Sequence, residues 1–413
     1  MTKHNIATAA ARAGIAKDPT YGAVTPPLYL SSTYELTAFQ QAGAYDYSRT
    51  ANPTRDLFAE TLIELEQGAA AVITNSGMSA CLLILQLLTG EDTLVIPHDC
   101  YGGSYRLFIN LAQKKQAFKL VIINFQQADW PEQLSLAQAR LIWLETPSNP
   151  LLQITDIAAV CQLARTLGAK VVVDNTFLSP ILQQPLLLGA DIVLHSTTKY
   201  LNGHSDVVGG AVICADKQLG TELAWWANCL GLTAGAFDSF LALRGIRTLQ
   251  PRIQLQQQNT LKVVEYLKQQ PLVTIVYYPG LAEHPGHEIA CQQQLGFGAM
   301  CSFELSADAR VLSHFLAALT IFTLAQSLGG VESLICHPST MTHSSMDAAA
   351  QAAAGLSPSL LRLSVGIEHD GDLIADLERG FSAINKLANS INNQNFEATE
   401  PRVVVQAYSN DGN

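Results

Sequence analysis

Charge is scarce in this chain. Only 14% of its 413 residues are charged, against 48% apolar, a balance that supplies a large core and leaves little for bulk disorder. Basic residues are outnumbered by acidic ones, 24 to 35, giving a formal net charge of −11. That excludes binding of nucleic acid by overall charge, though a local basic pocket for an acidic metabolite is unaffected. No apolar run has the length of a membrane span; the longest, Cys81 to Leu88, is interrupted by Gln86 and reads as a buried helix. Paired cysteines are also missing. Cys81, Cys100, Cys161, Cys214, Cys229, Cys291, Cys301 and Cys336 are scattered with no CxxC spacing, which removes a structural zinc signature and suits reduced thiols in the cytoplasm. There is no P-loop spacing, no internal repeat and no low-complexity linker. The first residues are Ala-rich, with no acid before Asp18 and no signal-peptide apolar region, so we read them as part of the mature protein.

What is present has the length for two or three packed units. Residues 1–60 hold few periodic segments. Pro26 and Pro27 set an extended piece, and Asn52-Pro53-Thr54 marks a turn in which Thr54 is expected to cap a helix from Arg55 to Glu66. From 70 to 214, short apolar runs alternate with helical segments. The runs are 70–74, 94–97, 120–124, 141–145, 171–174, 192–195 and 210–214, with helices such as 78–88, 105–115 and 157–167 between them. Such alternation indicates an α/β unit with a mostly parallel sheet, here of seven strands. From about 251 the pattern becomes a long helix, 252–268, then strands at 300–305, 322–324 and 361–365 with helices at 309–319 and 372–387. This is a smaller α+β unit. The expected division is an arm (1–60), an α/β domain (61–250), an α+β domain (251–390) and a polar tail (391–413).

In parallel sheets, ligands sit beyond the carboxyl ends of the strands. The residues there form a consistent set. After the first run comes Asn75-Ser76-Gly77-Met78-Ser79, a small-residue turn into a helix, where exposed N–H groups suit a phosphate. After the second come Tyr101, Gly102 and Gly103, glycines that let the ring approach a planar ligand closely. Asn149 lies in a proline-bounded loop after the fourth. Asp174 ends an all-valine run, and a carboxylate there needs a cationic partner, such as a protonated pyridine nitrogen. The sixth delivers Ser196, Thr198 and Lys199. Burial depresses a lysine pKa, and the neutral amine is the nucleophile that makes Schiff bases. Together these are the requirements of pyridoxal 5′-phosphate. His195, His204, His337 and His343 are the candidates for a metal centre, but no pair has ligand spacing with a carboxylate, and we expect no metal.

The segment Ser196-Thr197-Thr198-Lys199-Tyr200-Leu201-Asn202-Gly203-His204-Ser205-Asp206 resembles the signature of the Cys/Met-metabolism PLP enzymes, the trans-sulfuration family of γ-synthases, β- and γ-lyases and sulfhydrylases. The resemblance spans about residues 5–390. It is nearest to the bacterial cystathionine γ-synthase branch at PHDCYGGSYRLF (97–108), ETPSNPLL (145–152), VVDNTFLSP (172–180), TELAWWANCLG (221–231) and SLGGVESL (327–334).

The resemblance implies a fold-type-I, aspartate aminotransferase-like PLP enzyme, a cytoplasmic homotetramer of two catalytic dimers that binds neither nucleic acid nor membrane. It implies that Lys199 carries the cofactor as a Schiff base and is catalytic together with Tyr101, which stacks on the ring. Asp174 would pair the pyridine nitrogen. Gly77, Met78, Ser196 and Thr198 would hold the phosphate, Tyr47 and Arg49 would reach that of the neighbouring subunit, and Asn149 would lie near the phenolic oxygen. Arg362 would clamp the substrate α-carboxylate, with Ser327 also at the substrate and Arg106 at a distal carboxylate. The implied reaction is γ-replacement: L-cysteine displaces succinate from O-succinyl-L-homoserine, giving L-cystathionine for methionine biosynthesis. The alternative is a γ-lyase acting on cystathionine or methionine, releasing 2-oxobutanoate and ammonia. Thr50 and Gln326 depart from the family pattern, at positions where relatives often carry arginine and glutamate. Both bear on substrate choice.

Overall fold

The computed structural model describes residues 4–306, 308–342, 351–352 and 354–397. Seven strands form one sheet: β1 (Ala70–Thr74), β2 (Thr93–Pro97), β3 (Lys119–Ile123), β4 (Leu141–Glu145), β5 (Lys170–Asp174), β6 (Ile192–Ser196) and β7 (Gly210–Cys214). Each of the seven expected runs is a strand to within one residue at either end. The order is β1-β7-β6-β5-β4-β2-β3. The pairs among β2 to β6 are parallel, and β7 runs antiparallel to both β6 and β1. β1 therefore points the same way as β6. The carboxyl ends of β1, β2, β4, β5 and β6 all open at one edge of the sheet.

The runs are apolar throughout because both faces of the sheet are covered. In β4, Trp143 packs in a cluster with Leu94, Val172 and Leu194, under the helices Gly77–Ile84 and Lys217–Leu230. Its neighbours Ile142 and Leu144 pack on the other side with Val95, Val171 and Val173, under the helix Ile157–Leu167. Each such aliphatic side chain contributes about 1.5–3 kcal/mol by leaving water.

Helix Pro53–Glu66 corrects one expectation. Its cap is Asn52, whose Oδ1 accepts from the N–H groups of Thr54 at 3.0 Å and Arg55 at 3.3 Å. Pro53 has a helical φ and no N–H to satisfy, so it takes the first helical position and moves the start back. The Thr54 hydroxyl is used elsewhere, accepting from Tyr29 N at 3.0 Å and holding the N-terminal segment down.

The second sheet has five strands: β8 (Val273–Tyr277), β9 (Met300–Leu305), β10 (Thr323–Leu324), β11 (Leu334–Cys336) and β12 (Leu360–Ser364), in the order β10-β11-β12-β9-β8. β8 and β11 were not expected. β11 has three residues, too few to show a period, and β8 is a half-exposed edge strand. Helix Leu249–Lys268 joins the two halves: Leu249 and Ile253 lie in a core with Ile213 of β7, and Val263, Val264 and Leu267 lie in the core of the second sheet. The last helix, Asp370–Glu397, runs past its expected end and takes up the start of the expected tail. Residues 398–413 and His343 lie outside the described residues.

Asp376 in that helix is fully buried. It accepts from the backbone N–H groups of Thr320 at 2.8 Å, Ile321 at 2.9 Å and Phe322 at 2.9 Å, and pairs with Arg379 at 2.6 Å. Burial pushes its carboxyl up, but the Arg379 bond and the three N–H groups outweigh this and bring it down to about 2. Asp376→Ala leaves those donors unpaired, each at about 1–3 kcal/mol, so a loss of about 3 kcal/mol is expected in denaturant unfolding. The folded pKa lies below the unfolded value of about 3.9, so the contribution is complete above that value and is lost as pH falls towards 2. Asp376→Asn is expected to remove this part of the acid slope.

Candidate active site

The strand ends converge on one cavity of about 330 Å³, closed from the other side by residues of the second sheet and its loops. Of the residues expected at the site, Gly77, Met78, Tyr101, Asn149, Asp174, Ser196, Thr198, Lys199, Ser327 and Arg362 line it.

At the end of β1, Ser76 caps helix Gly77–Ile84 by accepting from Ser79 N at 3.0 Å. Helix geometry leaves the first N–H groups of that helix without intrahelical acceptors. Gly77 is required here, because a Cβ would stand 3.0 Å from that of Ser196. At the end of β2, the Tyr101 ring folds over Gly103, where a Cβ would meet it at 2.5 Å. Tyr101 N donates to Glu145 Oε2 at 2.7 Å. Burial, followed by the Glu145 charge, pushes the Tyr101 phenol up.

Asp174 is tied into the wall by Thr176, whose N–H donates to Asp174 Oδ1 at 3.0 Å and whose hydroxyl accepts from Ser196 N at 2.9 Å. Lys199 Nζ donates to Ser327 Oγ at 2.7 Å. Ser327 sits at φ +86°, a left-handed conformation rare outside glycine and held here by its neighbours. Its carbonyl accepts from one terminal nitrogen of Arg362 at 2.8 Å, while the other donates to Asn149 Oδ1 at 2.8 Å. Among the described residues, Arg362 Nε is buried without a partner.

Burial first, and the Arg362 charge second, lower the Lys199 ammonium to about 8. The neutral amine therefore appears well below the usual lysine range. Acylation of Lys199 in the cofactor-free protein by an amine-selective reagent is expected to rise with pH to a midpoint near 8, read by peptide mass spectrometry. A midpoint at the ordinary lysine value would contradict the arrangement.

Three expected residues are elsewhere in the chain. Tyr47 is 46% exposed, and the Arg49 guanidinium lies 5.4 Å from its ring centre while Arg49 Nε donates to Asn228 Oδ1 at 3.0 Å. Neither lines the cavity of its own chain. Arg106 is exposed on helix Gly102–Lys115 and does not line it either.

Sequence reasoning passed over Glu145 and Thr176. Glu145 is buried at the end of β4, and burial, reinforced by the Asp174 charge, pushes its carboxyl well up. The signal was available, since Glu145 ends an apolar strand as Asp174 does. Gln326 also lines the cavity.

The charges here are complementary to a ligand rather than to one another. Among the described residues, no ion pair engages Asp174, Lys199 or Arg362. A half-buried carboxylate, a half-buried amine and a buried guanidinium left apart in one cavity call for a partner bearing both signs.

The family model for Cys/Met metabolism PLP-dependent enzymes matches residues 7–382. The chain belongs to this family. It is 58% identical over 382 residues to cystathionine gamma-synthase of Escherichia coli, covering 92% of this chain and 98% of that one. It is 43% identical to cystathionine gamma-lyase of Bacillus subtilis, over 90% of this chain and 97% of that one. Among solved structures, cystathionine gamma synthase from Xanthomonas oryzae pv. oryzae in complex with aminoacrylate and cysteine superposes with a TM-score of 0.92 at 54% identity, covering 93% of this chain and all of the other.

The protein is thus an enzyme of the PLP-dependent α/β fold, and its cofactor is pyridoxal 5′-phosphate. The cavity fits that group. It offers a helix N-terminus for a phosphate, a half-buried carboxylate with no ion-pair partner among the described residues for a protonated ring nitrogen, and a half-buried amine of lowered pKa for the aldehyde. No helix among the described residues is long and apolar enough to cross a membrane.

Proposed function

We propose that this enzyme performs γ-replacement, joining O-succinyl-L-homoserine and L-cysteine to give L-cystathionine and succinate. One observation carries the reading: identity of 58% along nearly the whole length of a cystathionine gamma-synthase, in a chain whose cavity gathers Lys199, Asp174 and Arg362. When bound, the cofactor supplies an electron sink that acidifies the substrate's α- and β-protons and lets the γ-substituent leave.

In this reading Lys199 would hold the cofactor through its amine, which burial lowers to about 8 in the cofactor-free cavity, and the same amine would carry protons at the substrate's Cα and Cβ. Ser327 Oγ orients its amine. Asp174 pairs the ring nitrogen, Tyr101 covers the ring, and Asn149 holds the edge near the phenolic oxygen. Gly77, Met78, Ser196 and Thr198 hold the phosphate, completed by Tyr47 and Arg49 from a neighbouring subunit. That shared site is the reason we assign catalytic dimers, and the family resemblance is the reason we pair them as a homotetramer, with residues 1–60 as the linking arm, 61–250 binding the cofactor and 251–390 closing the substrate side. Arg362 takes the α-carboxylate, and Arg106 is assigned to the succinyl carboxylate. The scattered thiols, six of the eight buried, are consistent with a cytoplasmic enzyme.

The test is product analysis with O-succinyl-L-homoserine, with and without L-cysteine. Cystathionine and succinate are expected in the first case. Cleavage of cystathionine or methionine to 2-oxobutanoate and ammonia, with no cystathionine made, would establish the γ-lyase reading instead.

A further inference from the structure

Glu66, the last residue of helix Pro53–Glu66, is fully buried, and nothing in the proposed chemistry uses it. His195 Nε2 donates to its Oε1 at 2.6 Å, and Asn175 Nδ2 donates to the same oxygen at 3.0 Å. Gln183 extends the network. Its Nε2 donates to Asn175 Oδ1 at 3.1 Å and to the Thr146 carbonyl at 3.0 Å, and its own carbonyl accepts from Asn175 Nδ2 at 2.8 Å. All four side chains are buried.

Each strand-end member adjoins a residue of the cavity. Thr146 follows Glu145, Asn175 follows Asp174, and His195 precedes Ser196. Leu194 and Ser196 line the cavity, so alternation along β6 turns His195 to the opposite face. The network therefore ties the ends of β4, β5 and β6 together from behind the cavity. It is costly to keep: among the described residues Glu66 Oε2 is buried with no partner, and an unsatisfied buried acceptor costs about 1–3 kcal/mol that an apolar core avoids. Burial pushes the Asp174 carboxyl up, and the Thr176 bonds and then the His195 charge oppose this.

We infer that Glu66 and His195 are positioning residues: their pair, through Asn175, fixes the end of β5 so that the Asp174 carboxylate meets the cofactor nitrogen. The inference rests on the reading of Asp174 as that nitrogen's partner.

The test is a cycle of Glu66→Gln, Asp174→Asn and the double variant in the full-length protein. Pyridoxal 5′-phosphate is titrated into each cofactor-free protein, with affinity and visible absorption as readouts beside the melting temperature. Glu66→Gln alone is expected to lower affinity about tenfold and to shift the absorption, with most of this effect gone in the Asp174→Asn background, as for groups acting as a unit. Equal effects in both backgrounds, or a lowered melting temperature with affinity and spectrum unchanged, would overturn the positioning role. If Asp174→Asn itself alters neither affinity nor spectrum, the Asp174 reading fails first. If Glu66→Gln does not fold, Asn175→Ala cuts the same link while leaving the Glu66–His195 pair, and carries the same expectations.

Discussion

Lys199→Ala is expected to abolish turnover, a loss of at least about a thousandfold, with the melting temperature of the cofactor-free protein within a few degrees of the parent. Two functions fall on one amine in the proposed chemistry, cofactor attachment and proton transfer, so no other side chain substitutes for it. Stability should be spared because the amine stabilises little. It is half-buried against its preference, with a hydrogen bond to Ser327 and a repulsive Arg362 nearby, and its depressed pKa expresses that imbalance. Deleting it removes the desolvation cost along with the bond. Kinetics and a thermal melt check both halves. Retained multiple turnover would remove Lys199 from the chemistry. Collapse of the fold would mean that the amine has a structural partner we have not assigned.

The parts of the site on the first sheet were legible because each follows a short apolar run directly. A buried strand must end in a polar turn, and in a parallel sheet those turns share one edge, so Gly77, Tyr101, Asp174 and Lys199 could be gathered without tertiary information. The second sheet was less legible. Arg362 lies inside β12 rather than after it, and only the resemblance drew attention to it. Ser327 acts through a left-handed backbone conformation that no sequence pattern announces. Glu145 and Thr176 were passed over although their neighbours were weighed, because their partners, Tyr101 N and Ser196 N, are backbone groups distant in sequence. The Glu66 network was invisible for a related reason: its members come from five separate segments, and although Thr146 and Asn175 lie in stretches that carry the resemblance, nothing local joins them to Glu66. Asn52 shows the local version of the problem, since a proline shifts a cap by two residues.

Arg362→Leu is expected to lower kcat/KM by roughly two to three orders of magnitude, chiefly through KM, while cofactor affinity changes by less than about threefold. The guanidinium is held from two sides, by Asn149 Oδ1 and the Ser327 carbonyl, and its Nε has no acceptor among the described residues. An arginine fixed in this way presents a rigid fork to a carboxylate, and lysine, a point charge on a flexible stem, would not restore it. Folding should tolerate leucine. The acceptors left on Asn149 and Ser327 cost about 1–3 kcal/mol, offset by removal of a buried charge. The same variant carries an independent check. The Arg362 charge is the second cause, after burial, of the lowered Lys199 pKa. With leucine in its place the ammonium is easier to keep, so the midpoint for acylation of Lys199 should move above 8. Equal losses of cofactor and substrate affinity would contradict the assignment of Arg362 to the substrate carboxylate. An unmoved Lys199 midpoint would show that burial alone sets that amine.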